Sequence, residues 1–175
     1  LRSAALQASV ALELLGWRAL RNDVRWLRRA AGPLRDWDVS KGQGMTEQRA
    51  MLVDQLQAQL HTPRAQCLPD ALLRVLHARS PTRGAGPRHQ LQRLAQRALR
   101  TSDPHRLRQR LRRLRLALSM LELTKDAGAV REVVDRLGRW HDELQAPHSD
   151  TLTRTYKKAQ RAWRRVAPVV RRYAS

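Results

Sequence analysis

The residue type that could do chemistry in this chain is arginine, and its spacing suits the binding of phosphate. From Pro104 to Leu121 the sequence reads PHRLRQRLRRLRLALSML, with Leu107, Leu111, Leu114, Leu118 and Leu121 on one helical face. At about 100° per residue, His105, Arg108, Arg112 and Arg115 form a second, narrower stripe beside that leucine seam. A stripe in that position lies at the rim of a helix interface and can project into a cleft. Arg106, Arg110 and Arg113 point elsewhere and are expected to be solvated. The segment from Trp17 to Ala31 repeats the plan, with Trp17, Leu20, Val24, Leu27 and Ala31 apolar and Arg18, Arg21, Arg25 and Arg28 alongside. Arg154, Lys157, Arg161 and Arg164 or Arg165 make a third, looser row. Planar guanidinium forks can grip phosphate oxygens bidentately. Any single row could be the ordinary polar face of an amphipathic helix. The three together carry almost no glutamate one turn on to compensate them, which favours a polyanionic partner.

His105 and His141 fall within these patterned segments. A histidine at a helix start is commonly structural, and it can donate to phosphate when protonated. Asp36, Asp38 and Asp142 fit the role of orienting neighbouring arginines or capping helix ends. No metal-ligand spacing occurs, and there is no Gly-rich phosphate loop, G-x-S-x-G elbow, H-E-x-x-H or C-x-x-C pair. The E-x-E-x-K signature of tunnel triphosphatases is also missing. A phosphohydrolase acting on polyphosphate or nucleotides therefore lacks its carboxylates, and the expectation is a binding protein with no catalytic residue, metal or cofactor.

Bulk composition agrees. Thirty-five Lys and Arg against 15 Asp and Glu give a formal net charge of +20 in 175 residues. A compact body so charged repels itself, and nucleic acid, an acidic membrane or a phosphate polymer would relieve that cost. A GC-rich genome could explain arginine in place of lysine, but not an excess of cations over anions. The 42% of apolar residues suffice for a core. The lone Cys67 fits a reducing compartment, so a cytoplasmic location is expected. No run approaches the length of a membrane span and no signal-like segment opens the chain. The chain begins at Leu1, which suggests that residues upstream have been removed.

Helical periodicity runs almost throughout, and the expected class is all-α. Helices are expected over about 1–15, 17–31, 46–61, 69–79, 89–101, 104–124, 126–145 and 150–173. Asp103 before Pro104 reads as an N-cap before an N1 proline, Thr46 as a cap, and Ser149 or Asp150 as the cap of the last helix. Gly16, Gly32 and Gly42 mark ends or turns. The stretch Ser80 to Pro87, rich in Pro and Gly, reads as a linker, dividing a first helical subdomain (1–79) from a second (89–175) across 80–88. In the last helix Leu152, Tyr156, Ala159, Trp163, Val166, Val170 and Tyr173 form the seam of an antiparallel bundle, with a kink expected at Pro168.

Two segments line up at an offset of 106 residues: Val24-Arg25 with Val130-Arg131, Gly32 with Gly138, Arg35 with His141, and Asp36 with Asp142. Leu1-Arg2-Ser3-Ala4 also resembles Leu114-Arg115-Leu116-Ala117, a spacing that differs by two helical turns. The expectation is two antiparallel helical bundles related by an internal pseudo-repeat, the first truncated at its N-terminus.

These motifs resemble the conserved histidine α-helical domain (CHAD) family across most of the chain. His105-Arg106-Leu107-Arg108 followed by Leu111-Arg112-Arg113-Leu114-Arg115 looks like the pattern H-x-L-R-x3-[KR]-[KR]-L-R, although Leu116 stands where the family often has Tyr. Gly32-Pro33-Leu34-Arg35-Asp36-Trp37-Asp38-Val39 is similar to the segment G-P-x-R-D-x-D-V, and Leu137-Gly138-Arg139-Trp140-His141-Asp142 to L-G-x2-[NH]-D. The family's first motif, H-x3-R-V-x2-R-R, is absent apart from a remnant at Leu1-Arg2. The resemblance implies two helical bundles around a basic channel that binds inorganic polyphosphate, sometimes beside a fused or separate triphosphatase domain. On that reading Arg18, Arg21, Arg25, Arg28, Arg35, His105, Arg108, Arg112, Arg115, His141, Arg154, Lys157 and Arg161 contact polyphosphate, and polyphosphate granules are a fitting place for the protein. The alternative is non-specific binding of nucleic acid, for which no reading motif is present. Trp17 and Trp163 lie on apolar seams and are expected in the core rather than stacked on bases.

Overall fold

The computed structural model of the chain describes residues 2–41, 46–77, 86–144 and 151–175. Every element among the described residues is helical. The helices are α1 (Arg2–Leu14), α2 (Arg18–Ala30), α3 (Gly32–Lys41), α4 (Glu47–Leu60), α5 (Pro63–Gln66), α6 (Leu68–His77), α7 (Pro87–Leu99), α8 (Pro104–Met120), α9 (Thr124–Leu144) and α10 (Leu152–Arg172). The chain divides into two compact units, Leu1–Gly84 and Ala85–Ser175. Among the described residues, no helix is long and apolar enough to cross a membrane.

In the second unit, α8 packs on α7 and α9, and α10 closes the ring between α9 and α7. The helices alternate in direction. His105 near the start of α8 meets His141 near the end of α9. Asp126 near the start of α9 pairs with Arg172 at the end of α10. This is an up-down-up-down four-helix bundle. The seam of α8 behaves as its spacing requires: Leu111, Leu114 and Leu118 are fully enclosed and Leu107 is buried, each contributing about 1.5–3 kcal/mol on burial. Val130, Val133, Val134 and Leu137 of α9 and Ala159, Ala162, Val166 and Val170 of α10 complete the core. Asp103 caps α8 by accepting from the Arg106 backbone N–H at 2.6 Å, with Pro104 in the first turn.

At the far end of α10, the Tyr173 hydroxyl donates to Asp126. Burial, and then the adjacent Asp126 carboxylate, push the phenol above its ordinary range, against the lowering influence of Arg172. Pro168 sits exposed within α10, and the helix continues past it to Arg172.

In the first unit, α1 and α2 form a hairpin against which α6 packs. Ala5, Leu12, Val24, Leu68 and Val75 form its core cluster, with Trp17, Leu20 and Leu27 partly buried against it. Thr46 caps α4 by accepting from the Arg49 N–H at 3.2 Å. Arg49 Nε donates to Asp38 at 2.8 Å, joining α4 to α3.

Three sequence expectations need correction. Gly32 does not end a helix; it opens α3, and the segment through Val39 is helical. Proline is tolerated in the first turn of a helix, so Pro33 at the second position is compatible with α3. The short helix α5, begun by Pro63 after the cap Thr62, was not foreseen either. α7 starts at Pro87, so only residues 80–85 of the expected linker remain, and these lie outside the described residues. Gly42 and the caps Ser149 and Asp150 also fall outside them.

The α1–α2 and α8–α9 hairpins turn in the same way. α1 ends with Gly16 at φ 80° and α8 ends with Glu122 at φ 60°. The Trp17 N–H reaches back to the Leu12 carbonyl at 2.8 Å, and the Leu123 N–H to the Leu118 carbonyl at 2.9 Å. Both are the left-handed close of a Schellman motif. Gly16 and Glu122 are separated by the same 106 residues as Gly32 and Gly138.

Candidate functional site

The row on α8 stands clear of the leucine seam, as its register predicts. His105 and Arg112 are exposed, and Arg108 and Arg115 are half-buried. Over the ten residues from His105 to Arg115 the row runs about 15 Å along the helix. The rings of His105 and His141 lie 4.8 Å apart, centroid to centroid, and tilted by 49°. The Gln109 amide lies 2.7 Å from His105 Nε2. One turn further on, the Arg108 guanidinium rests on Gly138 of α9. A Cβ added at Gly138 would come within 3.2 Å of Arg108 Nη2 and 3.5 Å of its Cζ. Arg108 Nε is buried there and has no acceptor among the described residues. A buried guanidinium N–H without a partner costs about 1–3 kcal/mol, which an anionic oxygen at that point would recover.

This geometry gives Gly138 a specific role. Gly138→Ala should be neutral or stabilising by up to about 1 kcal/mol, because alanine is the better residue inside a helix. The new methyl must also displace the Arg108 head by a few tenths of an ångström. The expected result is unchanged or raised stability to urea together with several-fold weaker binding of polyphosphate. Unaltered affinity in that variant would show that the placement of Arg108 is immaterial.

The row on α2 is less uniform. Arg18 is exposed at the first residue of the helix. Arg21 lies 3.5 Å from the nearly buried Glu13 carboxylate, and its Nε also lacks an acceptor among the described residues. Arg25 and Arg28 line a 480 Å³ cleft with Asn22, Arg29 and Arg64. Arg64 comes from α5, where it is held by Asp23 at 2.6 Å and lies 4.7 Å over the Trp26 ring. Neither Arg29 nor Arg64 was foreseen, since Arg29 sits off the chosen stripe and α5 carries no periodic signal. Arg35 stands apart on α3, exposed, with Asp36 at 3.6 Å.

The third row divides. Arg154 and Lys157 are exposed on α10. Arg161 instead joins Arg136, Lys158, Arg164 and Arg165 around a 500 Å³ cleft between α9 and α10. Lys158 is in the sequence next to a chosen residue, but Arg136 is on another helix and only the packing brings it here.

Arg110 corrects an expectation. It is half-buried rather than solvated, and its guanidinium donates to the Arg97 carbonyl and to Thr101 Oγ1, tying α8 to the end of α7. Trp163 packs beside Thr101, Leu107 and Leu137 but is only half-buried, short of the core position its place on the seam implied. Among the described residues there is no group of three or more His, Cys, Asp or Glu that could hold a metal ion.

Compared with protein-family models, with curated proteins and with solved structures, the chain matches none of them. The fold and site define a class, a strongly basic all-α protein that presents arginine rows on its helices.

Proposed function

We propose that this protein binds inorganic polyphosphate without catalysis, through the α8 row of His105, Arg108, Arg112 and Arg115 with His141, and through the α2 row with Arg35. The observation that carries the reading is the pair of buried guanidinium nitrogens, Arg108 Nε and Arg21 Nε, one in each row, for which no described residue supplies an acceptor. Both nitrogens lie below the surface while their side chains are only half-buried, so a phosphate oxygen that draws the guanidinium outward supplies the missing acceptor. An exposed row of cations about one helical turn apart suits a thin, flexible phosphate chain, which can follow the helix surface.

The shared turn geometry of the α1–α2 and α8–α9 hairpins supports an internal duplication. At the constant offset of 106 residues Leu1-Arg2 aligns with Leu107-Arg108 rather than with Leu114-Arg115. On this reading the chain is a CHAD-like protein whose two units are diverged copies, each presenting its own arginine row to polyphosphate. The exposed, unpaired Cys67 fits a cytoplasmic setting where polyphosphate accumulates.

Competition tests the reading. Long-chain polyphosphate and duplex DNA are titrated against each other at equal phosphate concentration and equal salt. Polyphosphate is expected to displace DNA well below stoichiometric phosphate, because a stiff duplex about 20 Å wide cannot lay its backbone along a single helix row. Equal competition per phosphate would instead favour generic binding of nucleic acid and other polyanions.

A further inference from the structure

We propose that the second unit carries a separate site for a compact oligophosphate in the cleft between α9 and α10. α10 contains eight Lys or Arg and no carboxylate, so nothing on the helix itself neutralises it. Lys158, Arg161 and Arg165 recur at intervals of three and four, on one face, within about 10.5 Å along the axis. Arg164 flanks them and Arg136 approaches from α9, and together the five line a 500 Å³ cleft. Glu132 is the carboxylate that reaches this group. It accepts from Arg136 Nε at 3.0 Å and from Arg165 Nη2 at 2.9 Å.

Glu132 therefore has a geometric consequence. It bridges one guanidinium on each helix and fixes the spacing of the two walls, as a positioning carboxylate does. Its single charge is shared between two arginines, and it leaves Lys158, Arg161 and Arg164 directed at the same space. Five cations held together against one carboxylate repel one another. A multiply charged anion removes that repulsion and adds charge-assisted hydrogen bonds. The cleft is open to solvent, but its cations come from two helices and cluster around one space, in contrast to the linear row on α8. It thus suits a small ligand with several phosphates close together, not a long chain. This assignment does not depend on the polyphosphate reading, which rests on the α8 and α2 rows and uses none of these five residues.

The probe is sodium tripolyphosphate, titrated calorimetrically into the full chain, with citrate as a trivalent anion without phosphate. The wild-type protein should bind tripolyphosphate at least tenfold more tightly than citrate. Lys158→Gln with Arg164→Gln should weaken tripolyphosphate at least tenfold. Arg106→Gln with Arg171→Gln, which removes the same charge elsewhere, should change it less than twofold. Long-chain polyphosphate binding should survive the first double variant, and Arg108→Gln with Arg112→Gln should have the reverse pattern. That reciprocity separates failure of this site from failure of the α8 row. Tripolyphosphate should also protect Lys158, and not the exposed Lys125, from acetylation in the unmodified protein, a readout that needs no variant. Equal weakening by both charge-matched pairs, equal loss of tripolyphosphate and long-chain binding in the Lys158 and Arg164 variant, or no protection of Lys158 would overturn the proposal.

Discussion

Replacing Arg108, Arg112 and Arg115 together by glutamate is expected to lower affinity for long-chain polyphosphate by at least two orders of magnitude. Helicity and the urea midpoint should change little. The three side chains lie on one band of α8 outside the Leu107, Leu111, Leu114 and Leu118 seam, so reversing them empties none of the core. A charge-assisted contact contributes roughly 1.5–3 kcal/mol, and losing even two of them exceeds a hundredfold at the lower end of that range. The comparison must hold net charge constant. Arg106, Arg110 and Arg113 would be the obvious control from sequence, but Arg110 ties α8 to Arg97 and Thr101 and its loss would disturb the bundle. Arg100, Arg106 and Arg171, all exposed, serve instead. If this second triple to glutamate weakens binding as much as the first, affinity follows net charge alone and no site exists on α8.

Salt dependence should be the second large effect. Each arginine-phosphate contact releases condensed counterions, and the logarithm of the binding constant then falls linearly with the logarithm of salt concentration. The three proposed contacts from Arg108, Arg112 and Arg115 alone imply a loss of roughly 40-fold between 50 and 200 mM salt. The α8 glutamate triple should also show a visibly shallower slope, because those contacts no longer contribute. Fluorescence titration at four or five salt concentrations measures both. A slope near zero in the wild-type protein would refute the electrostatic mechanism, whatever the affinity at low salt.

The register of α8 was legible in the sequence because it depends only on local geometry. Leucines at intervals of three and four leave a defined band beside them, whichever partners eventually bury the seam. The caps at Asp103 and Thr46 were legible for the same reason, since a side-chain oxygen beside the first free backbone N–H groups needs no distant residue. Gly32-Pro33 misled because the same dipeptide serves a turn or a helix start. The two glycines of the repeat illustrate the limit. Gly32 opens α3, where an added Cβ would meet nothing, whereas Gly138 lies inside the unbroken α9 against Arg108. Pro33 has no backbone N–H with which to continue α2, and α2 ends at Ala30 while α9 runs unbroken past Gly138.

An all-helical, strongly basic chain with arginines beside buried seams follows from periodicity and charge, which are local and additive. Which arginines stay exposed and which are tied to a neighbouring helix depends on packing. It spent Arg110 on the α7–α8 junction, set Arg108 on Gly138, and brought Arg136 across to Lys158, Arg161, Arg164 and Arg165. Those outcomes rest on contacts between consecutive helices, which no local period reports. A guanidinium on a flexible stem takes whichever acceptor, carboxylate or neighbouring cation the packing of a second helix places within its reach.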